Sequence, residues 1–233
     1  MPARSARARF GEAVQKPEAE IDLAEAALLI AAEEYPQLAP EPYLRRPDEL
    51  AERARDRLWD ETAPIVMLQE VSRVLFEEEG FRGNRMEYYD PRNSFLNNVI
   101  DRRMGIPITL SIVYLEVGWR LGIPLHGVNF PGHFLVRYEG EAVRLLVDPF
   151  QSGMVRFEDE SQDLLDHVYG GSVRMQPDFL RAADRCDILM ENFRPGALEK
   201  WGLGYEALAR DKFDKDVTGG EVRAALAQEV AAI

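Results

Sequence analysis

Six side chains capable of chemistry crowd into residues 105–150, GIPITLSIVYLEVGWRLGIPLHGVNFPGHFLVRYEGEAVRLLVDPF: Thr109, Ser111, His126, Asn129, His133 and Asp148. A histidine oriented by a carboxylate is a general base, and a nucleophile activated by it performs acyl transfer or hydrolysis of an amide or ester. The spacing of His133 and Asp148 allows that pairing. Two apolar runs, 134–138 and 142–147, are joined by Glu139-Gly140-Glu141. A two-residue hairpin turn on Gly140-Glu141 puts His133 directly opposite Asp148, with both side chains on one side and Cβ atoms roughly 5 Å apart. A single bulge would turn the pair apart. Each residue also has a purely structural use. Asp148 precedes Pro149 and can shape a turn. Thr109 and Ser111 can bond back to helix carbonyls. His126 reads as a surface or strand-edge residue, and Asn129, just before Phe-Pro-Gly, can shape that turn.

The elements that must position these residues are legible around them. Gly105-Ile106-Pro107 starts a helix, because proline at the first helical position gives up an amide that has no partner there anyway. Ile108, Ile112, Leu115 and Trp119 fall on one face, and Leu110, Val113, Val117 and Leu121 cover much of the rest. Such a helix is buried inside a domain and is too short to span a bilayer. Gly122 stops it, with Pro124 beyond. Strands are expected over 125–130, 134–138 and 142–147. Upstream, helices are expected over 19–33, from Pro47, and over 63–78 up to Gly80, with acidic faces such as Glu77-Glu78-Glu79 solvated. Residues 81–104 mix aromatic, basic and amide side chains. Asp90-Pro-Arg-Asn-Ser caps a helix beginning near Ser94. Asn93 and Asn97, four residues apart, then share a face as candidate binding residues able to donate to an oxyanion or hold a histidine, with Asn129 as a third. Arg102 and Arg103 are suited to bidentate pairing with acids.

Composition sets limits on function. The chain has 233 residues, is 46% hydrophobic and carries a net charge of -13, enough for one globular domain with a useful core. The charge argues against a general nucleic-acid binder. One cysteine, Cys186, excludes an internal disulfide and fits a reducing, cytoplasmic setting. The basic start MPARSARARF lacks the apolar core of a signal peptide, and no run reaches membrane-spanning length. The three histidines, at 126, 133 and 167, have no metal-ligand spacing, and no phosphate-cradling glycine loop is present. No metal and no cofactor are therefore expected.

The order of core helix, strand with histidine and strand ending in Asp-Pro resembles the transglutaminase-like superfamily. The segments YYDPRNSFLNNVIDRRMGIPITLSIVYLEVGWRLGIPLHGVNFPGHFLVRY and LLVDPF resemble in particular its bacterial Sir-B family, over about residues 19–190. The resemblance implies a triad of cysteine at the helix start, histidine on a strand and aspartate at the end of the next. His133 and Asp148 match the last two. The cysteine position falls near Pro107, so the thiol is missing, and Thr109 and Ser111 are the hydroxyls within about one helical turn. Residues 183–208, with ENFRPGALEKWGLGYEAL, resemble a fragment of family III CoA-transferases too short to carry that activity.

The expected fold is α+β: a papain-like core of a buried helix on a small antiparallel sheet, flanked by helices. The expected division is a flexible arm at 1–18, an N-terminal helical subdomain at 19–104, the core at 105–158 and a C-terminal helical region at 159–233. The function expected is that of a non-catalytic, regulatory protein that binds a peptide or protein partner and neither nucleic acid nor membrane, its oligomeric state left open. The rivals are a hydrolase or acyl transferase using Ser111 or Thr109 with His133 and Asp148, and a helical adaptor with an inert site.

Overall fold

The computed structural model describes residues 5–191, and these fall into two compact units, one formed by residues before 41 and after 183 and the other by residues 41–183. In the first unit, helix α1 (Ala6–Val14) packs on α2 (Leu23–Glu34). The flexible arm expected over 1–18 is thus helical from Ala6 to Val14. The Ser5 hydroxyl caps it by accepting from the Ala8 amide, and Gly11, Ala13 and Val14 are buried. Helix α2 is capped by Asp22, whose side chain accepts from the Glu25 amide at 2.8 Å. It buries Leu23, Ala24 and every residue from Ala26 to Ala31. Arg7 and Arg9 of α1 pair with Glu33 and Glu25 of α2 at 3.0 and 3.3 Å. The helix Arg185–Glu191 completes the described part of this unit. The segment resembling a CoA-transferase and the expected helices beyond residue 191 lie outside the described residues.

The second unit is α+β. Its helices are α3 (Pro40–Leu58), α4 (Pro64–Ser72), α5 (Leu96–Arg102), α6 (Pro107–Arg120) and α7 (Ser161–Tyr169). Two short strands, β1 (Arg82–Gly83) and β2 (Met104–Gly105), pair in parallel. The main sheet is antiparallel, in the order β6 (Met154–Phe157), β5 (Arg144–Asp148), β4 (His133–Glu139), β3 (Leu125–Phe130), β7 (Ala182–Ala183).

Helix α6 is the centre of this unit. Every residue from Pro107 to Gly118 is buried, as its all-round apolar pattern requires. Pro107 is its first residue, and Gly122 beyond it has φ +75°, where glycine alone is unstrained. It packs on β3 and β4. Close approach needs Gly118, where a Cβ would sit 2.2 Å from Leu125 Cδ1, and the Trp119 indole N–H donates to the Leu125 carbonyl at 2.9 Å. The alternate strand positions Val128, Phe130, Leu135 and Leu146 form a separate cluster with Leu165 and Leu180. Strands β3 and β4 thus send one set of side chains to α6 and the other to the α7 side.

Helix α4 continues into a π-helical turn, Arg73–Glu78. In the acidic end of this helix Glu77 and Glu78 are exposed, as expected from the sequence, and Glu79 is the exception. Glu79 is 91% buried at the side chain and pairs with Arg46, Arg53 and Arg103, while Glu78 pairs with Arg53, Arg57 and Arg73. Burial alone would raise the Glu79 carboxyl, but hydrogen bonds and charge from Arg53 and Arg46 outweigh it and hold it below the usual carboxylate range. The partners lie 24 to 33 residues away in the chain, which is why a local charge pattern does not reveal them.

Candidate functional site

His133 opens β4 directly after the turn Pro131-Gly132, where Gly132 has φ +72° and His133 pairs with Phe130. Asp148 closes β5, and its Oδ1 accepts from the amides of Phe150 and Gln151 at 3.0 and 3.1 Å. This Asx turn leaves Oδ2 facing the imidazole, 2.9 Å from His133 Nε2. The side chains are 12% and 5% exposed, so the pair is shielded without being sealed. With Nε2 bonded to a carboxylate, the ring proton is held there and Nδ1 becomes the basic nitrogen of the neutral imidazole.

The pair forms by a different register from the one expected. The β4–β5 ladder matches Val136 with Val147 and Glu139 with Arg144, and the Gly140 amide donates to the Val143 carbonyl. The turn therefore sits on Glu141-Ala142, one residue beyond Gly140-Glu141. Continued by one pair, this register sets Asp148 opposite Leu135, two residues past His133. A slip of two keeps each side chain on its own face, because strand alternation has a period of two. Histidine and aspartate then meet along the diagonal, within reach of a long side chain.

The other candidates occupy different surroundings. Thr109 is fully buried. Its Oγ1 accepts from the Ile106 amide at 3.1 Å, closing the first turn of α6, and donates to the Asn93 carbonyl at 2.8 Å. Ser111 is also fully buried, and its hydroxyl donates to the Pro107 carbonyl at 2.8 Å. Asn93, likewise buried, donates to the carbonyls of Glu87 and Tyr88 and accepts from Asn84 Nδ2 at 3.0 Å. Asn97 is buried and Asn98 approaches its carbonyl oxygen at 3.5 Å. Asn129 and His126 are exposed positions of β3.

Phe150 lies beside the dyad, and reasoning from the sequence overlooked it. Its ring stands edge-on to His133 and to Tyr88, with centroids 6.1 and 5.9 Å apart. The Arg85 guanidinium lies 5.6 Å from the same ring and donates to the Gln151 side chain. Gly83 admits the ring: a Cβ there would lie 2.6 Å from it. The signal was the aromatic residue directly after Asp-Pro, together with the aromatic and basic mixture upstream of the core helix. Among the described residues, no group of three or more histidine, cysteine, aspartate or glutamate side chains could hold a metal ion.

Asp90 anchors the approach to this region. It caps the turn Pro91–Asn93 and binds Arg92 and Arg102, with salt bridges of 2.7 and 3.2 Å. The Arg92 side-chain hydrogen bond chiefly, then its amide and the Arg102 charge, outweigh burial and pull the Asp90 carboxyl down to about 2. A folded-state value below the unfolded one stabilises the fold above the ordinary aspartate range, and that contribution disappears as pH falls through about 2. Asp90→Asn is expected to cost about 0.5–1 kcal/mol at neutral pH, since Arg92 is solvent-screened. Urea titrations at pH 7 and pH 2.5 should show that difference shrinking. An unchanged difference would mean the cap, and not the charge, carries it.

Comparison with known proteins supplies the class of this α+β unit. The family model of the transglutaminase-like superfamily matches residues 41–193, and the chain belongs to that superfamily. It is similar to a UPF0162 protein of Xylella fastidiosa strain 9a5c, 42% identical over 153 residues, or 66% of this chain and 54% of that protein. It is similar also to a UPF0162 protein of Pseudomonas aeruginosa, 37% identical over 167 residues, or 72% and 60%. A shorter likeness, 47% over 72 residues, is to the F-box only protein 21 of Mus musculus, covering 31% of this chain and 12% of that one. The chain spans about half the length of the Xylella relatives it matches. No solved structure matches. No helix among the described residues is long and apolar enough to cross a membrane.

Proposed function

We propose that this chain is a Sir-B-type member of the superfamily with a papain-like core and a degenerate triad, acting as a non-catalytic, regulatory protein that binds a peptide or protein partner in a groove beside His133. One observation carries the reading: a histidine–aspartate pair stands assembled while the first helical position is Pro107 and both nearby hydroxyls are buried and donate to carbonyls. A hydroxyl is a weak nucleophile unless its proton goes to a base, and these protons go to Asn93 and Pro107. Asn93, Asn97 and Asn129 are the proposed supporting residues. The single cysteine supports a cytoplasmic setting.

The second reading, a hydrolase or acyl transferase, draws support from the same pair. Ser111 or Thr109 would attack the carbonyl, His133 Nδ1 would take the hydroxyl proton, and Asp148 would hold the tautomer. The nucleophile would first have to leave its present hydrogen bond. The deciding experiment incubates wild type, His133→Ala and Ser111→Ala with p-nitrophenyl acetate and with a glutamine-containing peptide plus a primary amine. The non-catalytic reading expects no turnover that depends on His133. Turnover lost in His133→Ala, with circular dichroism unchanged, would replace it with the second reading.

A further inference from the structure

Three exposed apolar side chains share one loop beside the dyad. Met86 is 95% exposed, Tyr89 81% and Tyr88 39%. The loop that presents them is held from below. The Asn84 side-chain carbonyl accepts from the Glu87 amide at 3.0 Å, and Asn93 donates to the carbonyls of Glu87 and Tyr88 at 2.8 and 3.1 Å. The two asparagines are buried and bonded to each other at 3.0 Å. A loop already ordered loses little entropy when a ligand arrives, and tyrosine, methionine and arginine are the residues that interfaces favour.

The rings run without a break from solvent to the imidazole: Tyr89 to Tyr88 at 5.4 Å, Tyr88 to Phe150 at 5.9 Å, Phe150 to His133 at 6.1 Å. Charge indicates what would lie on this track. Arg53, Arg57 and Arg73 of the α3–α4 region are paired with Glu70, Glu78 and Glu79. Arg82 and Arg85 are exposed, and neither pairs with a carboxylate among the described residues. In a chain of net charge -13, residues 82–89 carry two arginines without a salt-bridged carboxylate against one acid, Glu87, a local excess of positive charge that suits an anion. Repulsion from the remaining acids is screened beyond roughly 8–10 Å at physiological salt.

We infer that residues 82–89 together with Phe150 form a recognition platform for a peptide segment that combines an acidic residue with an apolar or aromatic one. The apolar side chain lies against Tyr88 and Tyr89, and the carboxylate is taken by the forked guanidinium groups of Arg82 and Arg85. The inference names the partner class for the groove beside His133 and rests on that reading.

The test titrates the full ¹⁵N-labelled chain with two nine-residue peptides capped at both ends, one alternating aspartate with phenylalanine and leucine, the other with lysine at every aspartate. The acidic peptide is expected to shift the amides of 82–89 and the His133 imidazole. Arg82→Glu and Tyr89→Ala, both at exposed positions, are each expected to weaken it about tenfold. Shifts at 82–89 with His133 silent would keep the platform and remove the groove reading. Shifts at His133 with 82–89 silent would keep the groove and overturn the platform. Equal binding of the lysine peptide, or no binding of either, overturns it. So does a peptide-independent, concentration-dependent shift of 82–89 with a dimer in sedimentation, since a second copy would then occupy the surface.

Discussion

Replacing Asp148 with alanine is expected to destabilise the domain by about 2–4 kcal/mol and to release His133. The carboxylate is 5% exposed and accepts from three donors: His133 Nε2 and the amides of Phe150 and Gln151. Its removal leaves these donors without their acceptor in a shielded place, which costs far more than the net worth of one hydrogen bond. The asparagine variant separates the two consequences. Its side-chain oxygen can still accept from both amides, so the turn should persist with a loss of about 1 kcal/mol. Its amino group would face Nε2, where a donor meets a donor, and the imidazole proton should move to Nδ1. Long-range ¹H–¹⁵N spectra of the imidazole read the tautomer directly. Wild type should be protonated at Nε2 and Asp148→Asn at Nδ1. The same tautomer in both would mean that the pair does not hold in solution.

Gly153→Ala should be as damaging, by a different mechanism. Gly153 has φ +74°, and a Cβ there would lie 2.2 Å from Ser72 Oγ, 2.6 Å from Ser72 Cβ and 2.8 Å from the Phe76 ring. The left-handed backbone alone costs a non-glycine residue about 1–2 kcal/mol, and overpacking adds about 1–3 kcal/mol. Ser72 cannot yield easily: its hydroxyl donates to the Leu68 carbonyl at 2.9 Å and lies 3.4 Å from the buried Tyr114 hydroxyl. Burial pushes the Tyr114 phenol above its ordinary range, so it stays neutral in this cluster. Gly170 is the control, with φ +61° and no atom within 4 Å of an added Cβ. Gly170→Ala should show the backbone term alone, and thermal or urea unfolding of the two variants should differ by the crowding term. The Gly153 amide also donates to the Asp148 carbonyl at 2.9 Å, so the same substitution should disturb the His133 signals. Equal losses at the two glycines would mean that Ser72 and Phe76 move aside.

That His133 and Asp148 share a face was legible because strand alternation is a local property, and they meet at 2.9 Å. The register that joins them was not. A turn on Gly140-Glu141 and a turn on Glu141-Ala142 differ by a slip of two, which leaves every side chain on the same face, so hydrophobic alternation is blind to the difference. The aspartate and histidine still meet because Oδ2 is aimed by the turn that Oδ1 makes with Phe150 and Gln151. Thr109 and Ser111 were legible as residues near a helix start, but the direction of their hydroxyls depends on which carbonyls are within reach once the helix is buried. Phe150 and Arg85 gained their place beside the dyad from chain segments 65 residues apart.

Readable from the chain's residues alone were the core helix from Pro107, its arrest at Gly122, the strands that follow, the α+β class and the likeness to the superfamily. The elements rest on short-range rules, namely a missing proline amide, a glycine that accepts positive φ and an apolar period, whereas the superfamily rests on the resemblance of whole segments. Tertiary structure alone decided the hairpin register, the spent hydroxyls of Thr109 and Ser111, the arginine cage around Glu79 and the ring track from Tyr89 to His133. Those depend on partners distant in the chain, and hydrogen bonds and ring contacts form only once packing has brought the partners together.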